Sequence, residues 1–487
     1  MNVSWLLLVA GTFAGTFLSL LVAAVGGLLF ARPIVKGVTA YFLKRLMKDR
    51  YAENVWEMVT AMKRISPITV LENSLRAETG KVIERPFGSP RKFLNFDGLV
   101  FSPAQLAVLP AHENSPVDTK IVIGPTAKKP LTLDIPLLLG AMGYGVGVSD
   151  KVRIAMAKAT AAVGTATNTG EGGFLPEDRE YAKYLIYQYH SGHWTKEPEI
   201  LKQADAIEIH IGQGATAGAA SFIPPEYMQG EAREILQVPP GETVVIPSRH
   251  REINQPHDLK RLVHKLRQIT GGVPIGVKLC AGARLEDDLR VAVRADVDFI
   301  NIDGGQAGTK GGAPILEDDF GLPTIYALCR AVRFLQEQGT KEKISLLVGG
   351  GFATPGDCLK ALALGADGIC LGTAALWAMT HTQVTKSLPW EPPTQLTFYS
   401  GSLTNQFDEV QAAKNLENFF KSCVEEMKVA IRALGKNSVR QVNKNDLAAL
   451  DEWTSKVTNV PLAYETANRT EIKTGFKKRK FRRIKKT

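Results

Sequence analysis

The chain has 487 residues, of which 45% are hydrophobic and 22% charged, and 59 basic side chains outnumber 49 acidic ones for a net charge of +10. That length and apolar content exclude a single small domain and predict a large core with additions at the ends. The five cysteines, Cys280, Cys329, Cys358, Cys370 and Cys423, form no CxxC pair and are odd in number; they predict neither a disulfide framework nor a metal or iron–sulfur site, and suit a reducing compartment.

In chain order, the first feature is "SWLLLVAGTFAGTFLSLLVAAVGGLLFA" at residues 4–31, uncharged and longer than the roughly 20 residues a crossing helix needs. It predicts a transmembrane helix, because a cleavable signal would begin with basic residues and have a shorter apolar run. Arg32, Lys36, Arg45 and Lys48 follow it, which by the positive-inside rule predicts a single-pass protein with its bulk on the cytoplasmic side of a membrane. Residues 32–85 read as a helical juxtamembrane connector.

Residues 86–390 read as one domain in which, from about residue 130, short apolar runs alternate with helix-length amphipathic segments, the pattern of parallel strands joined by crossover helices. Eight runs are legible: "IPLLLGAM", "AVGTATN", "AIEIHIGQ", "TVVIPS", "PIGVKLC", "VDFINID", "ISLLVGG" and "DGICLGT". They predict an α/β fold, a (β/α)8 TIM barrel, rather than an open sheet. Residues 391–470 read as a helical C-terminal extension, with amphipathic helices over 405–455. Residues 471–487 form a polybasic tail in which "KTGFKKRKFRRIKKT", residues 473–487, holds nine of the basic residues and no acidic one, so removing that stretch lowers the net charge from +10 to +1. Such a tail is either solvated or drawn to anionic lipid; nucleic acid is not expected on this feature alone.

Three places carry candidate chemistry. In "LLVGGGFATPGD" and "ICLGTAALWAM", Gly349, Gly350, Gly351, Gly372 and Thr373 follow the last two strands, where bare amides and a helix start make an anion site suited to a phosphate-bearing ligand. Lys278 sits near the end of the otherwise apolar run "VPIGVKLCAG" and either snorkels to water or faces a charged ligand; beside a phosphate site, a flavin fits the second option. The stretch "GTATNTGEGGFLPED" at residues 164–178 puts four glycines at the end of the second strand, where backbone must turn sharply or approach a ligand closely.

The motifs "GAMGYG", "TNTGEGG", "IGQGA", "PIGVKL", "DGGQAGTKGGAP", "GGGFATPGD" and "LGTAAL" occur in the order and spacing of the FMN-binding synthase domain of glutamate synthases, which residues 90–380 resemble. Upstream, "FDGLVFSPAQL" and "GPTAKKPLTLDIPLLLGAMGYG" resemble the single-domain versions of that family. The resemblance implies a bound FMN that delivers hydride to 2-iminoglutarate formed from 2-oxoglutarate and ammonia. It implies backbone contacts to the flavin ring from Gly140, Ala141 and Met142, and polar contacts from Asn168 and Gln213. Lys278 is implied to face N1 of the ring, Asp303 to join the cofactor site, and Gly350, Gly351, Gly372 and Thr373 to hold the phosphate. Glu171, Lys278 and Gln213 are the implied catalytic residues, and the glycines around Glu171 are expected to lie against flavin and substrate.

The chain also departs from the family's pattern. Family members continue the IGQGA motif as QGAKPGEGG, where this chain reads "QGATAGAAS", so Thr216 and Ala219 replace a lysine and a glutamate. Paired histidines appear as His250 and Arg251, and Arg249 or Arg251 is a candidate replacement partner for a carboxylate. The region after the eighth strand reads "HTQVTKSLPWEPPTQ" without cysteine, so no iron–sulfur cluster is expected, and electrons would come from an external donor protein or a quinone. The expected function is a membrane-anchored, FMN-dependent oxidoreductase acting on CH–NH2 donors, making glutamate from 2-oxoglutarate and ammonia or running in reverse. The alternatives are the same flavin barrel on another amine or 2-oxo acid, and an inactive, membrane-tethered binding scaffold.

Overall fold

The computed structural model describes residues 3–387 and 392–465, so the polybasic tail lies outside the described residues. The chain divides into two units, Met1–Ile83 and Glu84–Thr487.

In the first unit Val3–Lys48 is helical, followed by helices Trp56–Arg64 and Pro67–Thr79. The last begins where Ser66 Oγ accepts from the Thr69 amide at 3.3 Å and ends at Gly80, whose φ of 62° closes the C-terminus. The long helix bends by 49° between Gly11–Gly27 and Leu29–Lys48, next to the glycine pair Gly26 and Gly27, where no side chains stiffen the turn. The uninterrupted crossing helix expected over residues 4–31 is therefore corrected. Among the described residues no single helix is long and apolar enough to cross a membrane, and only the bent pair meets that requirement together, by length and composition.

The second unit contains eight parallel strands: β1 Leu137–Leu139, β2 Ala166–Asn168, β3 Tyr184–Tyr189, β4 Ala206–His210, β5 Ile275–Cys280, β6 Phe299–Asp303, β7 Ser345–Gly349 and β8 Gly368–Leu371. Each is followed by a helix: α1 Asp150–Val163, α2 Pro176–Tyr181, α3 Pro198–Leu201, α4 Asp258–Thr270, α5 Leu285–Arg294, α6 Thr324–Glu337, α7 Pro355–Ala363 and α8 Thr373–Thr380. Hydrogen-bonded neighbours run from β2 through β8 and on to β1, giving a nearly closed (β/α)8 barrel. At the remaining seam β1 and β2 share no ladder, and Thr165 Oγ1 bridges it by donating to Leu137 O at 2.6 Å.

The strands are buried almost throughout, as in "LLL" of β1 and "FINID" of β6, because helices cover the outer face while side chains fill the interior. On α4 the buried Leu259, Leu262, Val263 and Leu266 recur at helical spacing and turn the other face to water.

One strand differs from the sequence reading. The run "TVVIPS" does form a strand, Val244–Ile246, but it pairs antiparallel with Ser221–Ile223 in the insertion between β4 and α4. The third barrel strand is instead "YLIYQY" at Tyr184–Tyr189, whose aromatic and amide content hid it. β-branched composition marks extended backbone and does not choose its partner. "QGATAGAAS", His250 and Arg251 accordingly all belong to the insertion after the fourth strand.

Beyond the barrel, α9 Glu409–Ala433 starts at Asp408, whose carboxylate accepts from the Gln411 amide at 3.0 Å. It buries Ala412, Leu416, Phe420, Val424, Met427 and Ile431 against α1, α7 and α8. The helical expectation for 405–455 holds for this element and for the short helix Glu452–Thr458, while Leu447–Ala449 between them is a strand that pairs antiparallel with Leu99–Phe101 and joins the two flanks of the barrel. Phe420 is fully buried at this contact, so Phe420→Ala is expected to cost about 3–5 kcal/mol, measured as a lowered urea midpoint of the purified protein with an unchanged slope.

Candidate active site

The carboxyl ends of the strands and the loops after them enclose a cavity of about 780 Å³, on the face where such barrels build their sites. The expected residues converge there from seven elements. Gly140, Ala141 and Met142 come from the end of β1, Glu171 from the loop after β2 and Gln213 from the loop after β4. Lys278 comes from β5, Asp303 from β6, Gly350 and Gly351 from the end of β7, and Gly372 and Thr373 from the start of α8.

Asn168 is the exception. It is buried, does not line the cavity, donates from Nδ2 to Glu208 Oε1 at 2.9 Å and accepts the Gly170 amide at 3.0 Å. Both ends of its side chain are engaged in shaping the loop and holding Glu208, which leaves it out of the flavin contact expected of it.

The glycine-rich stretch also serves a different neighbour from the one expected. Gly170 has φ 65°, and a Cβ there would stand 2.4 Å from the Gly143 nitrogen; at Gly172 a Cβ would stand 2.1 Å from Tyr144 O. These glycines let the β2 loop lie on the backbone of the β1 loop, and from residues 164–178 Glu171 alone reaches the cavity. Arg153 on α1 fastens the same two loops. Fully buried, it pairs with Asp178 at 2.8 Å and donates from Nη1 to Met142 O at 2.9 Å and Asn168 O at 2.6 Å. Its charge is compensated on every side, as a buried guanidinium requires.

Beneath the cavity lies a buried polar floor. Glu208 on β4 accepts from Asn168 on β2, from Gln188 Nε2 on β3 at 2.8 Å and from Asn301 Nδ2 on β6 at 2.6 Å. Beside it Lys278 Nζ lies 3.1 Å from Asp303 Oδ2. Burial opposes the ammonium, but Asp303 and then Glu208 outweigh it and hold the Lys278 pKa above the ordinary lysine value. Lys278 therefore does not snorkel; it is a fixed cation under the cavity.

A ring of histidines stands behind Glu171. His210 Nδ1 lies 2.7 Å from Glu171 Oε1, Trp194 Nε1 donates to Glu171 O at 3.1 Å, and His250 Nε2 donates to His210 O at 2.7 Å. Burial works against the Glu171 carboxylate, but His210 above all holds its pKa below the usual range. Neutral buried His190, its ring 5.0 Å from that of Trp194, is pushed by burial down to about 3 from 6.5.

At the opposite side, Gly350 and Gly351 have φ of 110° and 79°, and a Cβ at Gly350 would stand 2.8 Å from Thr324 Oγ1, while at Gly372 the Cβ position is open. Among the described residues the amides of Gly350, Gly351, Gly372 and Thr373 donate no hydrogen bond. This is a cradle of free N–H groups at a helix start and fits a phosphate of the size FMN carries. The candidate substrate-side residues Thr216, Arg249 and Arg251 do not line the cavity, and both arginines are exposed.

Several participants were not singled out from sequence: Glu208, Arg153, Gln188, His210, Asn301 and Lys310. A signal existed for Glu208 and His210, since both interrupt the apolar run "AIEIHIGQ" in a strand that a barrel buries on both faces.

The neutral His190 has a consequence for acid stability. The unfolded chain takes up its proton near the ordinary 6.5 and the folded chain only near 3, so between those values the unfolded state binds more protons. Stability therefore falls as pH is lowered through that window, by up to about 1.4 kcal/mol per pH unit. His190→Phe is expected to flatten this slope by one proton in urea denaturation across the window; an unchanged slope would place the acid sensitivity elsewhere.

The conserved region in glutamate synthase matches residues 98–437 of this chain. A glutamate synthase large subunit-like protein of Rhizobium meliloti is 33% identical over 414 residues, covering 81% of this chain and 93% of that one. An archaeal-type glutamate synthase (NADPH) of Thermotoga maritima is 30% identical over 398 residues, 76% of this chain and 77% of its own. Among solved structures, a lactate oxidase of Pediococcus acidilactici aligns at 14% identity with a TM-score of 0.48, over 78% of this chain and 94% of its own. With the barrel and its cavity in place and the matched region spanning most of the chain, the protein belongs to the glutamate synthase family.

Proposed function

We propose that this protein is an FMN-dependent oxidoreductase of the glutamate synthase type, acting between a 2-oxo acid with ammonia and the corresponding amino acid, with 2-oxoglutarate and glutamate as the reference pair. The observation that carries this reading is the pairing, within one cavity, of four uncommitted backbone amides at Gly350, Gly351, Gly372 and Thr373 with a fixed cation at Lys278. When bound, FMN supplies the hydride chemistry between a flavin ring and a substrate carbon.

The chain's own residues then have defined tasks. The amides of the β7 and β8 loops hold the phosphate without any basic side chain. Lys278, kept protonated by Asp303 and Glu208, stabilises negative charge at the ring edge it faces. Gly140, Ala141 and Met142 present backbone to the ring, with Met142 O held in place by Arg153. Gln213 offers an amide to the polar edge. Glu171, held as a carboxylate by His210, is the residue that exchanges a proton with the substrate nitrogen.

A second reading, another amine or 2-oxo acid in the same barrel, is favoured by one observation: Thr216 stands back from the cavity and no arginine lines it among the described residues. The apolar first half of the bent N-terminal helix and the basic residues Arg32, Lys36, Arg45 and Lys48 of its second half support a place at the cytoplasmic face of a membrane. There the tail would meet anionic lipid, and an external donor protein or quinone would exchange electrons with the flavin.

Detergent-purified protein is expected to carry FMN by its absorbance spectrum, and the anaerobically reduced flavin to be reoxidised by 2-oxoglutarate plus ammonia. Reoxidation by another 2-oxo acid alone selects the second reading; no flavin after reconstitution with excess FMN refutes both. Lys278→Met is expected to retain FMN and to slow reoxidation by roughly 100-fold, measured by anaerobic stopped flow.

A further inference from the structure

The loop after β6 brings a side chain into the cavity that none of these tasks uses. Thr309 and Lys310 line it, and their loop is braced from outside by residues 85–88. Arg85 and Gly312 exchange backbone hydrogen bonds of 2.9 and 3.0 Å, and the Phe87 amide donates to Thr309 O at 2.9 Å. The Arg85 guanidinium clamps Glu317 at 2.8 Å and Asp318 at 2.6 Å on the same side. A side chain rooted on so restrained a loop has its direction set before any ligand arrives.

The charges lining the cavity leave one cation over. Lys278 is matched by Asp303 at 3.1 Å and Glu171 by His210 at 2.7 Å. Lys310 forms no ion pair among the described residues. Burial pushes its pKa below the ordinary lysine value, and the opposing influence of Glu84 does not offset this. A partly buried ammonium that makes no ion pair gains from an incoming anion. The phosphate cradle, built of backbone amides after β7 and β8, has no need of it.

We propose that Lys310 binds the substrate carboxylate, so that specificity for a carboxylic acid resides in the loop after β6. This deepens the reading above and rests on it. Lys310 is the one uncommitted permanent cation among the described cavity-lining residues, and the second carboxylate of a dicarboxylic acid meets no further one. The site consequently discriminates weakly between monocarboxylic and dicarboxylic 2-oxo acids.

The test is calorimetric titration of the FMN-loaded protein with 2-oxoglutarate and, separately, with pyruvate, for wild type, Lys310→Met and Lys310→Arg, with flavin content read from the spectrum. The expected result is dissociation constants within about tenfold of each other in wild type, both raised at least about tenfold by Lys310→Met and largely restored by Lys310→Arg, as loss of one charge-assisted contact requires. Flavin content should stay unchanged throughout. Lys310→Met that binds both acids like wild type overturns the proposal, as does FMN-loaded wild type that binds neither. A preference of about 100-fold or more for the dicarboxylate removes the single-cation account of specificity. Protein that takes up no FMN at all instead refutes the flavin reading beneath it.

Discussion

A carboxylate buried in the middle of a barrel must be met by donors, and Glu208 imposes that requirement on three of the strands around it. Its two oxygens draw Asn168 from β2, Gln188 from β3 and Asn301 from β6 to within 2.6–2.9 Å. Left unmatched, a charge there would cost several kcal/mol. Satisfying it sets the register of neighbouring strands and puts Lys278 and Asp303 at the level where the cavity begins. The polar floor is thus a structural necessity and also the platform on which the site stands.

Above that floor the charges come as matched pairs of different construction. Lys278 with Asp303 is a cation held in place; Glu171 with His210 is an anion held in place; Arg153 with Asp178 is a tie between loops that never enters the cavity. Because each pair is compensated internally, the cavity presents directed partial charges to a ligand and little net field. Lys310 breaks this rule, and that is what makes it informative.

The rhythm of apolar runs made the barrel legible, and seven of the eight runs are barrel strands because a buried parallel strand must be apolar on both faces. The glycines and threonine of the β7 and β8 loops were legible for a related reason: close backbone approach tolerates few residue types. "YLIYQY" was not legible, since Gln188 in its centre reads as polar until Glu208 is known to need it. Asn168, at the end of β2, was expected to meet the flavin and meets Glu208, because an amide looks the same in sequence whether it faces a cofactor or a carboxylate.

By itself the sequence determined the alternation that closes a (β/α)8 barrel, the face on which its site lies, and the residues that approach through bare backbone. These follow from local rules of hydrophobic period and conformational freedom. Which charges cancel and which remain was decided only by the tertiary structure. Ion pairing depends on distances of about 3 Å between side chains far apart in the chain, such as Glu171 and His210 or Lys278 and Asp303. The same dependence placed Lys310 in the cavity wall without an ion-pair partner among the described residues and moved Arg249 and Arg251 to the surface.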